Sequence, residues 1–336
     1  MSFVEKNITV VIPSRIYDEN LSYCLKQIRK FYKKIKIILI LDSQNKKNRD
    51  KNIKVLISGN RTIGYKRNLG VKKTKTKFIC FIDSDAYPES PWLNKVNELF
   101  KKYKNLGAVG GPNLSPKTKN IEKILVSRSR KLSFVTLNKL VKNNNSKTDY
   151  INFLPSCNMI LKTSLYKKLK GMDERLYSGE EISLNYNIRK KNLKLIFCPN
   201  ITIFHKDRNF KHFARQRFIY GSTGFKLFLR YPCKESLLLL ISSLPIIFCL
   251  MFPFIFFNKT FFNFYISGVL FLILFCLINS IKINYSNNFI KSIKLTLISV
   301  FSPGIGLITS LLIKDYIIKK YYTQKRNKNY FKKSLY

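Results

Sequence analysis

Phe78-Ile79-Cys80-Phe81-Ile82-Asp83-Ser84-Asp85-Ala86-Tyr87-Pro88 is the stretch that decides how the chain is read. An apolar, β-prone run follows Lys77 and ends abruptly in two acids separated by one serine. Its length and lack of charge predict a strand buried on both faces, as in a parallel sheet. Ligands of open α/β sheets bind beyond the carboxyl ends of the strands, so Asp83 and Asp85 stand where a site is expected. Two carboxylates at i and i+2 can share one hard cation, and such a cation neutralises a diphosphate. A water-facing turn of Asp, Ser and Pro has the same local sequence, so the surrounding segments must decide between the two.

Upstream, residues 8–12 form a β-branched run closed by Pro13-Ser14. Residues 35–41, closed by Asp42-Ser43, and residues 53–57 are two further strands by the same pattern. Asp18-Glu19-Asn20 offers a helix N-cap, and Leu21, Leu25 and Ile28 follow at helical spacing. Residues 62–71 read as a loop entering a helix that carries Lys66, Arg67 and Asn68. Downstream, residues 91–104 are helical by the spacing of Trp92, Val96, Leu99 and Phe100, and residues 108–112 give a short strand with a tight turn. Residues 117–147 are a basic, helix-containing insertion. Ser178-Gly179-Glu180-Glu181 opens a helix to about Lys191, residues 193–198 form a strand, and His205 ends the run 201–204. Strand and helix alternating at this pace predict a doubly wound α/β layer.

The 336 residues include 62 Lys and Arg against 18 Asp and Glu, a formal charge of +44. Such a balance favours polyanions as partners: nucleic acid, anionic lipid or phosphorylated substrates. The cations are spread along the whole chain, so charge alone does not make a nucleic-acid binder, and nucleic acid is not an expected partner. The seven cysteines form no C-x-x-C pair and lie mostly in apolar runs. Neither a zinc site nor a disulfide framework is expected, and a reducing cytoplasm suits the usage. Residues 1–7 are polar, with no apolar core of a signal peptide, so the catalytic part is expected in the cytosol.

From residue 208 the character changes. Phe210, Phe213, Phe218, Phe225 and Phe228 interleave with Lys211, Arg215, Arg217 and Lys226, which suits an interfacial helix as well as an ordinary amphipathic core helix. Residues 237–257 and 261–281 are uncharged and long enough to span a bilayer, and only Asn258-Lys259-Thr260 separates them, so a tight hairpin is expected. A third uncharged stretch, 295–313, is interrupted by Ser302-Pro303-Gly304. The basic loop 282–294 and the basic tail 314–336 both favour the cytosolic side. The third stretch is therefore expected to be re-entrant or interfacial, turning back at Pro303-Gly304. The predicted organisation is a catalytic domain over 1–207, an interfacial region over 208–235, a membrane region over 236–313 and a cytosolic tail over 314–336. The protein would then be a multi-pass protein of the cytoplasmic membrane.

The ordered pieces Val10-Val11-Ile12-Pro13, Leu41-Asp42-Ser43, Gly64-Tyr65-Lys66-Arg67-Asn68-Leu69-Gly70, Phe81-Ile82-Asp83-Ser84-Asp85, Gly171-Met172-Asp173-Glu174, Gly179-Glu180-Glu181 and the run from Pro199 to His205 give the chain its likeness. Together, over residues 8–205, they resemble glycosyltransferase family 2. That resemblance implies a GT-A fold, with a doubly wound mixed sheet binding a nucleotide-diphosphate sugar, and transfer with inversion. It implies that Pro13, Arg15, Asp42, Arg67 and Asp83 serve the donor nucleotide. Asp83, Asp85 and His205 would hold Mg2+ or Mn2+. The general base of the family is usually the Asp of a Glu-Asp pair; here the pair is Glu180-Glu181, and both remain candidates. Arg215-Gln216-Arg217-Phe218 stands where processive relatives carry Gln-x-x-Arg-Trp, but the Arg-Trp ending is missing. The resemblance then implies addition of one sugar, with Gln216 and Arg217 facing an acceptor phosphate. A lipid-linked glycan is the expected acceptor, in cell-surface polysaccharide or glycolipid synthesis. Transfer directly to polyprenyl phosphate or a simple lipid, and a non-catalytic basic protein binding anionic lipid or nucleic acid, are the alternatives.

Overall fold

The computed structural model describes residues 1–44, 50–132, 147–256 and 258–313. Within these, one compact unit is built from residues 1–116 and 147–206 and a second from 117–132 and 207–313. The first unit begins with α1 (Phe3–Asn7), β1 (Ile8–Pro13), α2 (Glu19–Phe31), β2 (Lys36–Leu41) and β3 (Ile53–Ile57). It continues through α3 (Ile63–Lys72), β4 (Phe78–Ile82), β5 (Ala86–Tyr87), α4 (Val96–Lys102), β6 (Leu106–Gly110) and β7 (Asn113–Leu114). Next in the chain, α5 (Ile121–Ser129) belongs to the second unit. The first unit then resumes with β8 (Asp149–Ile151), β9 (Asn158–Lys162), α6 (Thr163–Lys168), α7 (Glu180–Lys190), β10 (Lys194–Phe197) and β11 (Ile203–His205).

Among the described residues the main sheet has the order β3-β2-β1-β4-β9-β6-β10-β8. It is the expected doubly wound mixed sheet. β1 pairs parallel with β2 and β4, whereas β9 runs antiparallel to both β4 and β6. All five residues of β4 are buried. Phe78, Cys80 and Ile82 join Ile12, Leu39 and Trp92 in one core, while Ile79 and Phe81 join Val11, Ile40 and Leu161 in the other. At about 1.5–3 kcal/mol per large apolar side chain fully buried, this strand is fixed from both faces. The strand order reverses direction between β1 and β4, and a crevice beyond the carboxyl ends at such a switch point is the usual ligand site. A smaller sheet, β5-β11-β7, lies just past the end of β4.

Two local readings change in this unit. The helix expected over 91–104 is shorter, because Asn94 and Val96 donate to Pro91 and Leu93, three residues back, and α4 starts only at Val96. The insertion expected over 117–147 yields α5, which packs with the second unit; Glu122 accepts a hydrogen bond from the Phe210 amide at 3.0 Å. Residues 133–146 of that insertion, and the tail 314–336, lie outside the described residues.

The second unit continues with α8 (Phe210–Arg230), α9 (Lys234–Ile241), α10 (Leu244–Leu250), a 3-10 turn (Phe252–Phe256), α11 (Lys259–Ile283) and α12 (Phe289–Leu312). The single span expected over 237–257 is instead three short helical pieces. Pro245 cannot donate to the Ile241 carbonyl, so α9 ends there, and Pro253 lies in the 3-10 turn. The stretch 261–281 is one helix, as expected, within α11. The turn-back expected at Pro303-Gly304 does not occur, for α12 passes through both residues. Pro303 leaves the Ser299 carbonyl without its helical N–H donor, and the Arg217 guanidinium reaches that oxygen at 3.5 Å. Among the described residues, α11 and α12 are long and apolar enough to cross a membrane.

Candidate active site

The turn after β4 is closed by the Ala86 amide donating to the Asp83 carbonyl at 3.1 Å. β11 pairs antiparallel with β5, setting His205 opposite Ala86 and next to Asp85. His205 Nε2 lies 3.2 Å from Asp85 Oδ1 and 3.7 Å from Asp83 Oδ2. The ligand atoms of the three residues all lie within 4.8 Å of one another. Burial would lower the His205 imidazole, but Asp85 and then Asp83 override it and push it up to about 9. Three side chains that share a proton in this way fit a divalent cation in its place. Two carboxylates and an imidazole make a donor set suited to Mn2+ or Mg2+.

Helix α3 brings three consecutive side chains into the site. Thr62 caps it, accepting from the Tyr65 amide at 3.3 Å. Lys66 is 1% exposed; its ammonium is ion-paired with Asp42 and donates to the Ser14 carbonyl at 2.8 Å. Burial lowers the Lys66 pKa, and Asp42 opposes that shift. Arg67, 2% exposed, reaches in two directions: Nη2 to Asp83 Oδ1 at 2.7 Å and Nη1 to Glu180 Oε1 at 2.7 Å. Its guanidinium also lies 5.7 Å from the Phe81 ring centroid. Burial works against the charge, yet Asp83, Glu180 and Glu181 raise the Arg67 pKa. Against the tendency of burial, hydrogen bonding to His205 and the Arg67 charge hold the Asp83 carboxyl below its usual range. Asn68 donates to the Met172 carbonyl and to Glu174 Oε1, each at 2.9 Å.

The glutamate pair sits on the first turn of α7, behind Gly179 at φ +76°. That backbone conformation is open to glycine and strained for most other residues. Glu180 is 6% exposed and held by Arg67. Glu181 is partly open, and burial, followed by the charge of Glu180, pushes its carboxyl up to about 8. The two acids are thus differentiated. One is ion-paired, and the other has a proton affinity in the range that suits a general base near neutral pH.

The predicted donor residues converge in the same unit. Pro13 is the buried last residue of β1; Arg15 is exposed, and its carbonyl accepts from the Asp42 amide at 2.8 Å. Pro13, Arg15, Asp42, Asp83, Asp85, Glu180, Glu181 and His205 therefore stand around the carboxyl ends of β1, β2 and β4 and the mouth of α7. The Arg67 fork, expected at a diphosphate, is used here by two carboxylates. Gln216 and Arg217 belong to α8 of the second unit, where Gln216 donates to the Tyr220 hydroxyl at 3.0 Å and Arg217 is 3% exposed. Lys66 was given no role by the sequence reading. No local pattern marks a lysine as buried, and only the meeting of β1 and β2 with α3 makes it so.

The family model of Glycosyl transferase family 2 matches residues 9–170. A "Pre-mycofactocin glycosyltransferase" of Mycobacterium tuberculosis (strain CDC 1551 / Oshkosh) is 21% identical over 176 residues, covering 51% of this chain and 36% of that protein. The chain thus spans about a third of the length of the curated relatives it matches. Among solved structures, S. aureus TarS 1-349 in complex with UDP-GlcNAc aligns at a TM-score of 0.46 and 14% identity, covering 69% of each chain. GalNAc-T7 with UDP, GalNAc and Mn2+ aligns at 0.46 and 15% identity, covering 69% of this chain and 53% of that one. The segment from 9 to 170, which holds β1, β4 and the Asp83/Asp85 turn, belongs to glycosyl transferase family 2.

Proposed function

We propose that the protein is an inverting glycosyltransferase, moving one sugar from a nucleotide-diphosphate sugar to a lipid-linked glycan acceptor at the cytoplasmic membrane. The observation that carries the reading is Arg67, which ties the Asp83 end of the site to Glu180 through two 2.7 Å contacts. A cation-binding carboxylate pair and a second acid pair thereby share one small site. Pro13, Arg15 and Asp42 bind the nucleotide at the ends of β1 and β2. Asp83, Asp85 and His205 hold a divalent cation, which when bound supplies neutralisation of charge on the diphosphate. Glu181 takes the proton of the acceptor hydroxyl. As the acceptor oxygen bonds to the anomeric carbon, the bond from that carbon to the diphosphate oxygen breaks, and the nucleoside diphosphate leaves with the electron pair. Glu180 stays paired with Arg67 and keeps Glu181 basic.

The membrane part of the proposal rests on α11 and its apolar neighbours. Leu270, Phe271, Ile273 and Leu274 are exposed on α11, and only 11% of its most apolar stretch is covered. α9, α10 and the 3-10 turn carry the chain one way across the bilayer and α11 returns it, with the catalytic unit on the cytosolic side. Purified full-length protein in detergent, presented with a panel of nucleotide sugars and a lipid-linked acceptor, should release one nucleoside diphosphate in the presence of Mn2+ or Mg2+. Glu181→Gln should abolish that release while leaving donor affinity intact. Turnover by Glu181→Gln at the native rate would remove this residue from the role of base.

A further inference from the structure

β6 and β10 run in the direction of β4, since β9 is antiparallel to both β4 and β6 and β10 is parallel to β6. Their amino ends therefore lie at the end of the sheet opposite the Asp83/Asp85 turn. Helix α4 stops there: the Tyr103 amide donates to the Leu99 carbonyl at 3.0 Å, and the Tyr103 carbonyl accepts from the Leu106 amide at 3.2 Å as β6 begins. β10 starts beside this turn, where the Lys194 amide donates to the Asn105 carbonyl at 2.8 Å. On the other side of β10, the edge strand β8 sets Tyr150 opposite Ile196. Lys102, Tyr103, Lys104, Asn105, Tyr150 and Lys194 line a half-open groove of about 210 Å³ between these segments.

Ring and cation contacts shape the groove. The Tyr103 and Tyr150 rings meet edge to face with centroids 6.0 Å apart. Lys194 Nζ lies 4.3 Å from the Tyr150 centroid, and Lys102 Nζ lies 5.7 Å from that of Tyr103. The pairing of β10 with β6 shifts register between Lys194 and Leu195. Such an irregularity re-aims a side chain, here across the Tyr150 ring. Among the described residues, no carboxylate pairs with any of the three ammoniums. The acids closest in sequence are engaged elsewhere, for Glu98 pairs with Lys95 at 3.0 Å and Asp149 accepts from the Tyr150 amide at 2.7 Å. The carbonyl end of a helix draws cations, which accounts for Lys102 and Lys104. It does not account for Lys194, which arrives from a different strand. Three like charges in one small concavity repel one another, and an anion relieves that repulsion.

Size and lining narrow the class of anion. Roughly 300–1,000 Å³ is usual for a cofactor-sized pocket, so this smaller groove suits one ring with its phosphate rather than a nucleotide sugar. Lysines meet a phosphate as point charges, and a tyrosine pair offers a ring an apolar wall with hydroxyls at its edge. We infer that the groove is a second binding site, for a phosphorylated sugar, with the phosphate on Lys102, Lys104 and Lys194 and the sugar ring against Tyr103 and Tyr150. The site needs no divalent cation and does not rest on the transfer reaction proposed above.

Calorimetric titration of the full-length protein in detergent with EDTA tests this, using a hexose 6-phosphate, inorganic phosphate and the neutral hexose. The hexose phosphate should bind saturably at one site, at least fivefold more tightly than phosphate, and the neutral hexose should not bind. Lys194→Met should weaken the hexose phosphate about tenfold, as for one charge-assisted hydrogen bond, while Lys194→Arg should retain most of the affinity. Tyr150→Ala should weaken the hexose phosphate but not inorganic phosphate. Asp85→Asn should leave binding unchanged, which separates this groove from the proposed donor site. Comparable affinity for an oligosaccharide ending in the same phosphosugar would support the groove as a glycan site, and tenfold weaker binding of it would support a site for the free sugar phosphate. Absence of saturable binding, equal affinity for phosphate and hexose phosphate, or binding lost in Asp85→Asn and kept in Lys194→Met would each overturn the inference. Binding by a protein that transfers no sugar would count against the proposed reaction alone.

Discussion

Replacing Arg67 by Met keeps the side chain's length and apolar contacts but removes the charge between Asp83 and Glu180. Removing one partner of a buried ion pair typically costs about 3–5 kcal/mol, because the remaining charge stays buried and uncompensated. Here the loss falls unequally. The Glu180 side chain is 8% exposed and has little access to water, whereas Asp83 is 31% exposed and lies near His205. Most of the cost should therefore come from Glu180, and a total of about 3 kcal/mol is expected. For a domain of this size about 1 kcal/mol corresponds to roughly 2–4 °C in Tm, so Arg67→Met should lower the melting temperature by about 6–12 °C. The single tryptophan, Trp92, is 1% exposed in the core of the first unit and reports the melt by fluorescence. The test of the assignment is rescue. Adding Glu180→Gln neutralises the stranded carboxylate and should recover at least half of the lost Tm, whereas Glu180→Gln in the native background should destabilise. A loss under about 2 °C in Arg67→Met, or no recovery in the double variant, would refute the claim that Glu180 depends on this guanidinium. Arg67→Lys should behave like Arg67→Met, since one ammonium cannot serve two carboxylates on opposite sides.

Three other outcomes are expected. With Glu181 raised to about 8, kcat/KM should rise tenfold per pH unit up to that point and then level, and the Glu181→Gln melting profile should lose a matching feature. The sign follows from linkage: the folded state retains a proton that the unfolded state releases near pH 4.5, so native stability falls as pH rises from there to about 8, and the variant should not show that fall. Lys66→Met should raise the donor KM about tenfold, with kcat changed less than twofold, since the lysine fixes Asp42 and the Ser14 carbonyl rather than the reacting atoms; an equal fall in kcat would count against this. Mn2+ should raise the Tm of the native protein in a concentration-dependent way, and Asp85→Asn or His205→Ala should remove most of that shift, readable without turnover.

Much of this site was legible in the sequence because its strands are unambiguous. The run into Asp83 admits only a buried strand, and the position of a carboxylate pair just beyond such a strand fixes its place in the crevice. His205 was harder to place, since β5 and β11 have two and three residues and no periodicity to read; their pairing alone brings the imidazole to Asp85. The differing states of Glu180 and Glu181 were not legible at all, because they depend on which carboxylate a residue more than a hundred positions away selects. In the second unit the uncharged run 237–257 read as one span on length and hydropathy, although Pro245 and Pro253 were signals against a continuous helix. The opposite error came at Pro303: the Arg217 guanidinium, at 3.5 Å from the buried Ser299 carbonyl, supplies a donor where the proline has none, and a local breaker becomes tolerable inside a helix.

One turn of α3 explains why the scattered motifs act as a unit. Successive residues of a helix project about 100° apart, so Lys66, Arg67 and Asn68 fan out to three different parts of the sheet edge. Lys66 joins the ends of β1 and β2 through Ser14 and Asp42. Arg67 joins the end of β4 to the start of α7 through Asp83 and Glu180. Asn68 holds the loop before α7 through Met172 and Glu174. None of these segments is near another in sequence, and each strand end taken alone is a loop free to move. Because the three anchors are consecutive, α3 cannot slip by one residue without presenting a cation where an amide is needed and leaving a carboxylate uncompensated. The register of one buried helical turn thus sets the spacing between the residues proposed to bind the donor and the residue proposed to activate the acceptor. An inverting transfer depends on that spacing, since the base must stand across the anomeric carbon from the departing diphosphate.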